Sequence, residues 1–184
     1  MTTVYQDIHK EIIELCKAGN TRAQQQLYQL YAKAMFNICY RMMNNREEAE
    51  DMLQESFTEA FVKLYTFRYE SSFGSWLKRI VVNKCINELK RRKSELVLTD
   101  NIPDHNPDSN DGDDLETTKL KVNDVMRAME ALPEGFRIVF SLYLLEGYDH
   151  TEIAQILGIT ESTSKSQFSR AKQRVKEILK TSTA

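Results

Sequence analysis

Apolar residues recur with a helical period along most of this chain, and the pattern lapses over residues 94–118. Leu27, Leu30, Tyr31, Ala34, Met35, Ile38, Cys39 and Met42 form one stripe, predicting a long helix over residues 20–43. Before it, Ile8, Ile12, Leu15 and Cys16, with Ile13 beside them, predict a helix over 3–18 that Gly19 and Asn20 stop. After it, Asn44 and Asn45 break the pattern, and Asn45 with Glu48 has the spacing of a capping box. Ala49, Met52, Leu53, Phe57, Ala60, Phe61 and Leu64 then predict a third helix over 46–65. Residues 66–72, TFRYESS, are a short loop without Pro or Gly in which Arg68 and Tyr69 are expected to be exposed. Ser72 can cap a fourth helix over 73–92, with Phe73, Trp76, Leu77, Ile80, Val81, Cys85, Ile86 and Leu89 on its core side.

Helical spacing returns after the lapse. Val122, Val125, Met126 and Met129 predict a helix over 121–130, and Pro133 suits the start of the next, with Phe136, Val139, Phe140, Tyr143 and Leu144 inward and Gly147 at its end. Two more helices follow across a tight turn. Residues 150–157 place Ile153, Ala154 and Leu157 on one face, Asp149 and Glu152 have capping-box spacing, and Gly158 suits a left-handed C-terminus. Ile159 faces back to the core, Thr160 caps the last helix, and Phe168, Ala171, Val175 and Leu179 point inward. The expected fold is all-α: two small helical domains joined by a flexible acidic linker, the second containing a helix-turn-helix.

Charge sharpens the division. The chain's net charge is only -2, but residues 1–93 carry 15 basic and 11 acidic side chains, residues 94–124 carry 2 and 9, and residues 125–184 carry 8 and 7. The lapse in periodicity is therefore also an acidic connector, with Pro103 and Pro107 in it. Its run DSNDGDDLE has a superficial likeness to a calcium loop. With Gly112 at the glycine position, however, Pro107 and Thr118 fall where the first and last ligands belong, which excludes it. Three scattered cysteines and three scattered histidines form no disulfide scaffold or metal cluster, and fit a reduced, cytoplasmic protein without signal peptide or membrane span. No carboxylate pair, Ser/His/Asp set or phosphate-cradling glycine loop points to an enzyme.

Candidate chemistry lies in three places. The last helix shows Lys165, Ser166, Gln167, Ser169, Arg170, Lys172, Arg174 and Lys176 away from its apolar face, groups that hydrogen-bond to bases and phosphates. A merely solvated basic helix is the alternative. Residues 76–93 carry seven basic residues against one acid, Glu88, directly after the aromatic loop. Cations beside rings suit unpaired DNA, whose bases stack while its phosphates need neutralising; Trp76 fits either that role or core packing. Glu47, Glu48, Glu50, Asp51, Gln54 and Glu55 give the third helix an acidic face, either solvated or docked on a basic partner.

In this order the pieces resemble a known family. EALPEGFRIVFSLYLLEGYDHTEIAQILGITESTSKSQFSRAKQRVKE is similar to the C-terminal DNA-binding domain of alternative sigma factors of bacterial RNA polymerase, in the two-domain extracytoplasmic-function (ECF) group. AEDMLQESFTEAFVKLYTF followed by SSFGSWLKRIVVNKCINELKRRK resembles that group's N-terminal domain. The resemblance implies a region 2-like domain over 1–93, a linker over 94–117 and a region 4-like domain over 118–184. Asp51, Gln54 and Glu55 would grip the coiled coil of the largest polymerase subunit, and the second domain would meet the flap. Arg68 and Tyr69 would sit in the loop that captures a flipped base of the -10 element. Trp76, Arg79, Asn83, Lys84, Asn87, Lys90 and Arg91 would face the melted strand, and residues 161–172 would form the -35 recognition helix, with Glu161, Ser162, Thr163, Lys165, Ser166, Gln167, Ser169, Arg170 and Lys172 toward DNA. Core RNA polymerase, promoter DNA and an anti-sigma factor would be the partners of a chain that is monomeric outside the polymerase and needs no cofactor or metal. The recognition helix departs from the family pattern at Ser164, where a hydrophobic residue is usual, and at Gln167, where arginine is frequent. The alternatives are a stand-alone helix-turn-helix regulator and a module that binds only protein.

Overall fold

The computed structural model describes residues 7–96 and 122–182, and every regular element among them is helical. The chain divides into two compact units, Met1–Lys93 and Ser94–Ala184. The first contains α1 (Lys10–Lys17), α2 (Thr21–Met43), α3 (Arg46–Lys63), a single 3-10 turn (Leu64–Thr66) and all but the last three residues of α4, which runs Phe73–Leu96. The second contains α5 (Val122–Glu130), α6 (Glu134–Leu144), α7 (His150–Leu157) and α8 (Glu161–Ser182). Helix α4 thus continues past its expected end into the stretch read as linker. The rest of that stretch, and the expected helix at residues 3–6, lie outside the described residues. No helix among the described residues is long and apolar enough to cross a membrane.

Two asparagines make the α2–α3 corner. Asn44 takes the left-handed conformation (φ 55°) that ends α2, and the Asn45 side chain accepts the Glu48 N–H at 3.1 Å to begin α3. The reciprocal half of the expected capping box is not made. The Glu48 carboxylate instead receives Arg92 Nη1 of α4 at 2.8 Å, since a charged partner outcompetes a neutral backbone donor.

Helix α1 begins later than its apolar spacing predicts, because Asp7 is turned inward. The carboxylate of Asp7 accepts the His9 N–H (2.9 Å) and, across 66 residues, the Phe73 N–H (2.7 Å), so it caps the start of α4. Ser72, the expected cap, does accept the Ser75 N–H at 3.1 Å. The later start leaves α1 two turns long, and it buries one narrow strip, Ile13 and Cys16. Ile8 (89% exposed) and Leu15 (49%), expected inward, therefore face solvent. On α2, Leu30 and Ala34 likewise lie outside the strip of Leu27, Met35, Ile38, Cys39 and Met42, which faces α3 and α1. Phe73, Leu77, Val81, Cys85, Ile86 and Leu89 line α4's buried side as expected, with Val82 added. The three cysteines are free and buried, and the Cys85 thiol is pushed up by its Cys39 neighbour and by burial, which leaves it inert.

In the second unit α8 is the central element, packed by α5, α6 and α7. Phe168, Ala171, Val175 and Leu179 all point into the core as their spacing requires. The capping box of Asp149 and Glu152 is complete, and Gly158 ends α7 at φ 71°. Helix α6 departs from expectation. Its buried set is Ile138, Val139, Phe140 and Leu142, while Tyr143 and Leu144 are exposed. The segment FRIVFSLYLL is apolar nearly all round, so periodicity could not select a face. Val122, at the first position of α5, is also exposed.

Replacing Asp7 by Ala removes a cap and leaves a buried amide bare, and should cost about 1–2 kcal/mol of stability. Asp7→Asn should recover most of that stability, since the amide oxygen still accepts. Urea unfolding of the two variants beside the parent chain measures both.

Candidate nucleic-acid interface

In the first unit, α3 presents Asp51, Gln54 and Glu55 together, all exposed, because positions i, i+3 and i+4 share one face. Helix α4 lies beside it, with Arg79, Asn83, Asn87, Lys90 and Arg91 exposed and Trp76 and Lys84 half-buried. The two surfaces meet in a cleft of about 220 Å³ lined by Glu55, Glu59, Asn83, Lys84, Asn87 and Arg91, among others. Within it, Lys84 Nζ stands 3.4 Å from Glu55 and 3.3 Å from Glu59. One side chain expected at the melted strand is therefore paired with one expected at the polymerase. These pairs are solvated, and each is worth only about 0.2–1 kcal/mol.

Glu88 tempers the positive end of α4. Its carboxylate takes Arg91 in a two-pronged contact (2.9 and 2.8 Å) and Arg92 at 2.9 Å. The hydrogen bonds from Arg91 and Arg92 lower its pKa to about 2. Arg92 also reaches Glu48. The net charge of this helix therefore overstates the field it projects.

The loop after the 3-10 turn is held rather than open. Arg68 is exposed, but Tyr69, expected exposed, is half-buried. Its backbone is left-handed (φ 58°), which costs a non-glycine residue about 1–2 kcal/mol. Its hydroxyl donates to Glu14 Oε1 at 2.6 Å, and Lys17 Nζ lies 4.7 Å from its ring centre. Burial and the Glu14 carboxylate push the phenol well above its ordinary range. Trp76 packs on Phe67 (5.4 Å between ring centres) and Phe73 (5.6 Å) while keeping part of its surface exposed. Core packing and an outward edge are thus both present.

In the second unit the turn between α7 and α8 sets the last helix. Thr160 Oγ1 accepts the Thr163 N–H at 3.0 Å, the expected cap, and shares a hydrogen bond with the Thr163 hydroxyl. Ser164, one turn in, is fully buried. It keeps the packing register of the hydrophobic residue usual in the family, because His150 Nδ1 meets its hydroxyl at 2.9 Å. Tyr143 stacks on the His150 ring at 4.4 Å, and Phe168 meets both rings, 4.4 Å from Tyr143 and 5.7 Å edge-on to His150.

The candidate reading residues divide by exposure. Glu161, Ser162, Lys165 and Lys172 are exposed; Thr163, Ser166, Gln167, Ser169 and Arg170 are half-buried. Lys165 pairs with Glu161 at 2.6 Å, and Lys172 lies 5.2 Å from the Phe168 ring centre. Gln167 turns toward α6: a methyl group on Gly135 would sit 3.6 Å from its Oε1. Asp7, Glu14, Lys17 and Glu59 carry no local signal of their roles, since each acts on a residue at least 25 positions away.

The arrangement defines an all-helical, two-unit protein in which a capped helix-turn-helix is joined to a unit pairing an acidic helix with a cationic, aromatic-edged one. Comparison with known proteins agrees in both halves. The family model for Sigma-70 region 2 matches residues 27–95, and that for Sigma-70, region 4 matches residues 123–175. The chain is 27% identical over 180 residues to the ECF RNA polymerase sigma factor SigW of Bacillus subtilis, covering 93% of this chain and 96% of that one. It is 30% identical over 169 residues to the ECF RNA polymerase sigma factor SigM of Mycobacterium tuberculosis, covering 92% and 83%. Among solved structures, the fold matches the sigma factor RpoE of Bartonella quintana, crystallised with the anti-sigma factor NepR, with TM-score 0.55, 24% identity and coverage of 85% and 96%. It also matches CnrH, solved with the cytosolic domain of CnrY, with TM-score 0.54, 22% identity and coverage of 95% and 99%. The chain belongs to the ECF group of the sigma-70 family.

Burial, and next to it the charge of Lys165, hold the His150 pKa below 6.5, while Glu161 and Asp149 oppose them. The unfolded chain then binds the proton more readily than the folded one. The contribution to stability is present above pH 6.5 and declines as pH falls through the folded pKa. Stability of the full chain, followed by urea unfolding between pH 7.5 and about 5, should fall more steeply than in a His150→Gln variant. Parallel curves would show that His150 is not the titrating group.

Proposed function

We infer that this chain is a sigma factor: it binds core RNA polymerase and directs it to promoters. The observation that carries the reading is the presence of both family regions, in order, across most of one chain. The polymerase supplies the catalysis, and this chain supplies the choice of start site.

The parts divide the task by chemistry. The exposed Asp51, Gln54 and Glu55 face suits a basic helical partner, and we assign it to the coiled coil of the largest polymerase subunit, with the second unit at the flap. Helix α8 enters the major groove at the -35 element. Its exposed N-terminal residues lie closest to base edges, while Arg170 and Lys172 are suited to phosphate. Gln167, turned toward α6, is better placed to support the helix than to read a base. At the -10 element, Arg68, Tyr69, Trp76, Asn83 and Asn87 receive bases as the strands part, with Arg79, Lys84, Lys90 and Arg91 toward the backbone. Unstacking costs a few kcal/mol per step, and loop and cation contacts offset it. Two modest DNA contacts tethered to one polymerase become jointly selective through effective concentration. The solved relative crystallised with the anti-sigma factor NepR supports a partner of that kind; outside the polymerase we take the chain to be monomeric.

Transcription in vitro with bacterial core polymerase over a library of promoter fragments tests the reading. The expected result is transcripts that require this protein and share a pair of upstream elements. Specific duplex binding by the pure protein, without core binding, would instead establish a stand-alone regulator. Asp51→Lys should weaken core binding by about tenfold, and unchanged holoenzyme assembly in a fluorescence titration would remove the docking role. Arg170→Ala or Lys172→Ala should lower the salt slope of promoter binding by about 0.9 for each phosphate that is no longer neutralised.

A further inference from the structure

Helix α1 and the residue Asp7 just ahead of it anchor the loop at its start, its middle and its junction with α4. At the loop's start, Lys17 Nζ donates to the Phe67 carbonyl oxygen at 3.1 Å. In its middle, the Tyr69 hydroxyl donates to Glu14 Oε1 at 2.6 Å, and Lys10 and Lys17 stand 5.6 and 4.7 Å from the Tyr69 ring centre. At its end, Asp7 accepts the Phe73 N–H. Lys17 also donates to Glu14 at 3.0 Å, so the two middle anchors brace each other. All of these anchoring residues precede residue 27, where the match to the region 2 family model begins.

The loop needs such bracing. TFRYESS has neither glycine nor proline to preset a turn, yet Tyr69 adopts a left-handed backbone that its side chain disfavours. Left to itself the segment would sample many shapes and surrender that freedom when a base bound. Contacts from α1 remove the freedom beforehand.

We propose that Glu14 and Lys17 are positioning residues for base capture: they hold the 67–72 loop in its receiving shape and so help set selectivity at the -10 element. This role rests on the reading that the loop receives a flipped base. Neither residue needs to touch DNA. Lys17 sets where the loop leaves the 3-10 turn, and Glu14 sets where Tyr69 stands. Arg68, between those two anchors, is left exposed.

The test uses holoenzyme assembled from the full chain and core polymerase, bound to a pool of random single-stranded DNA, with the captured strands sequenced. The parent holoenzyme should enrich a short motif. Arg68→Ala and Tyr69→Ala should erase the preference at the position the loop reads, which checks the underlying reading. Glu14→Ala and Lys17→Ala should weaken the preference at that same position by about tenfold, the equivalent of re-ordering one loop residue, with the other positions unchanged. Glu14→Gln and Lys17→Arg keep an acceptor and a donor and should retain most of it. A base-preference ratio does not depend on how much protein is folded, so a purely structural defect would leave it unmoved. If the loop variants erase the preference while Glu14→Ala and Lys17→Ala keep it, the positioning role is overturned and the loop reading stands. If the loop variants also leave it intact, both are overturned. A stronger preference in Glu14→Ala would show that the contact masks Tyr69, and would equally overturn positioning.

Discussion

Phe73 is where the first unit is tied together. Its ring is buried against Tyr31 of α2, Phe67 at the loop's start and Trp76 one turn on, while its N–H is held by Asp7 ahead of α1. A helix N-terminus has amide groups that must find acceptors, and an aromatic ring of this size must exclude water. Both demands fall on one residue, so α1, α2, the loop and α4 cannot move independently near it. The loop expected to receive a base is thereby framed at both ends by rigid packing, although its own sequence has no stiffening residue.

The second unit obeys a related constraint at smaller scale. Ser164 puts a hydroxyl where the helix-turn-helix needs a buried side chain, and a hydroxyl in a core requires a partner. His150 supplies it from the first turn of α7 and is itself packed in a three-ring cluster with Tyr143 and Phe168. The angle between α7 and α8 is therefore set by a directional bond as well as by apolar contact, a more specific joint than a hydrophobic pair.

Charge in this protein is organised by pairing more than by excess. Glu48 and Glu88 meet Arg92, Glu88 meets Arg91, and Glu55 and Glu59 meet Lys84. Each pair is weak in water, but together they keep the cationic side of α4 partly neutralised by its neighbour. Lys84 also links the face expected at the polymerase to the face expected at the melted strand through its contacts with Glu55 and Glu59.

The sequence by itself determined the helical class, the existence of both units and most helix ends, because these follow from rules acting within a few residues. The Asp149–Glu152 box, Gly158, Thr160, the Asn44–Asn45 corner and the inward face of α8 were all legible, and so were the family's motifs. Tertiary structure decided what local pattern leaves open. Leu15 and Leu30 have the spacing of core residues but lie beyond the strips that neighbouring helices cover, and α6 is too uniformly apolar for periodicity to choose a face. Glu48 was drawn from its own helix cap to Arg92, and Tyr69 was drawn from solvent to Glu14, because charged and hydrogen-bonding groups respond to partners 44 and 55 residues away. Contacts at that separation exist only once helices have packed, so no reading of neighbouring residues contains them.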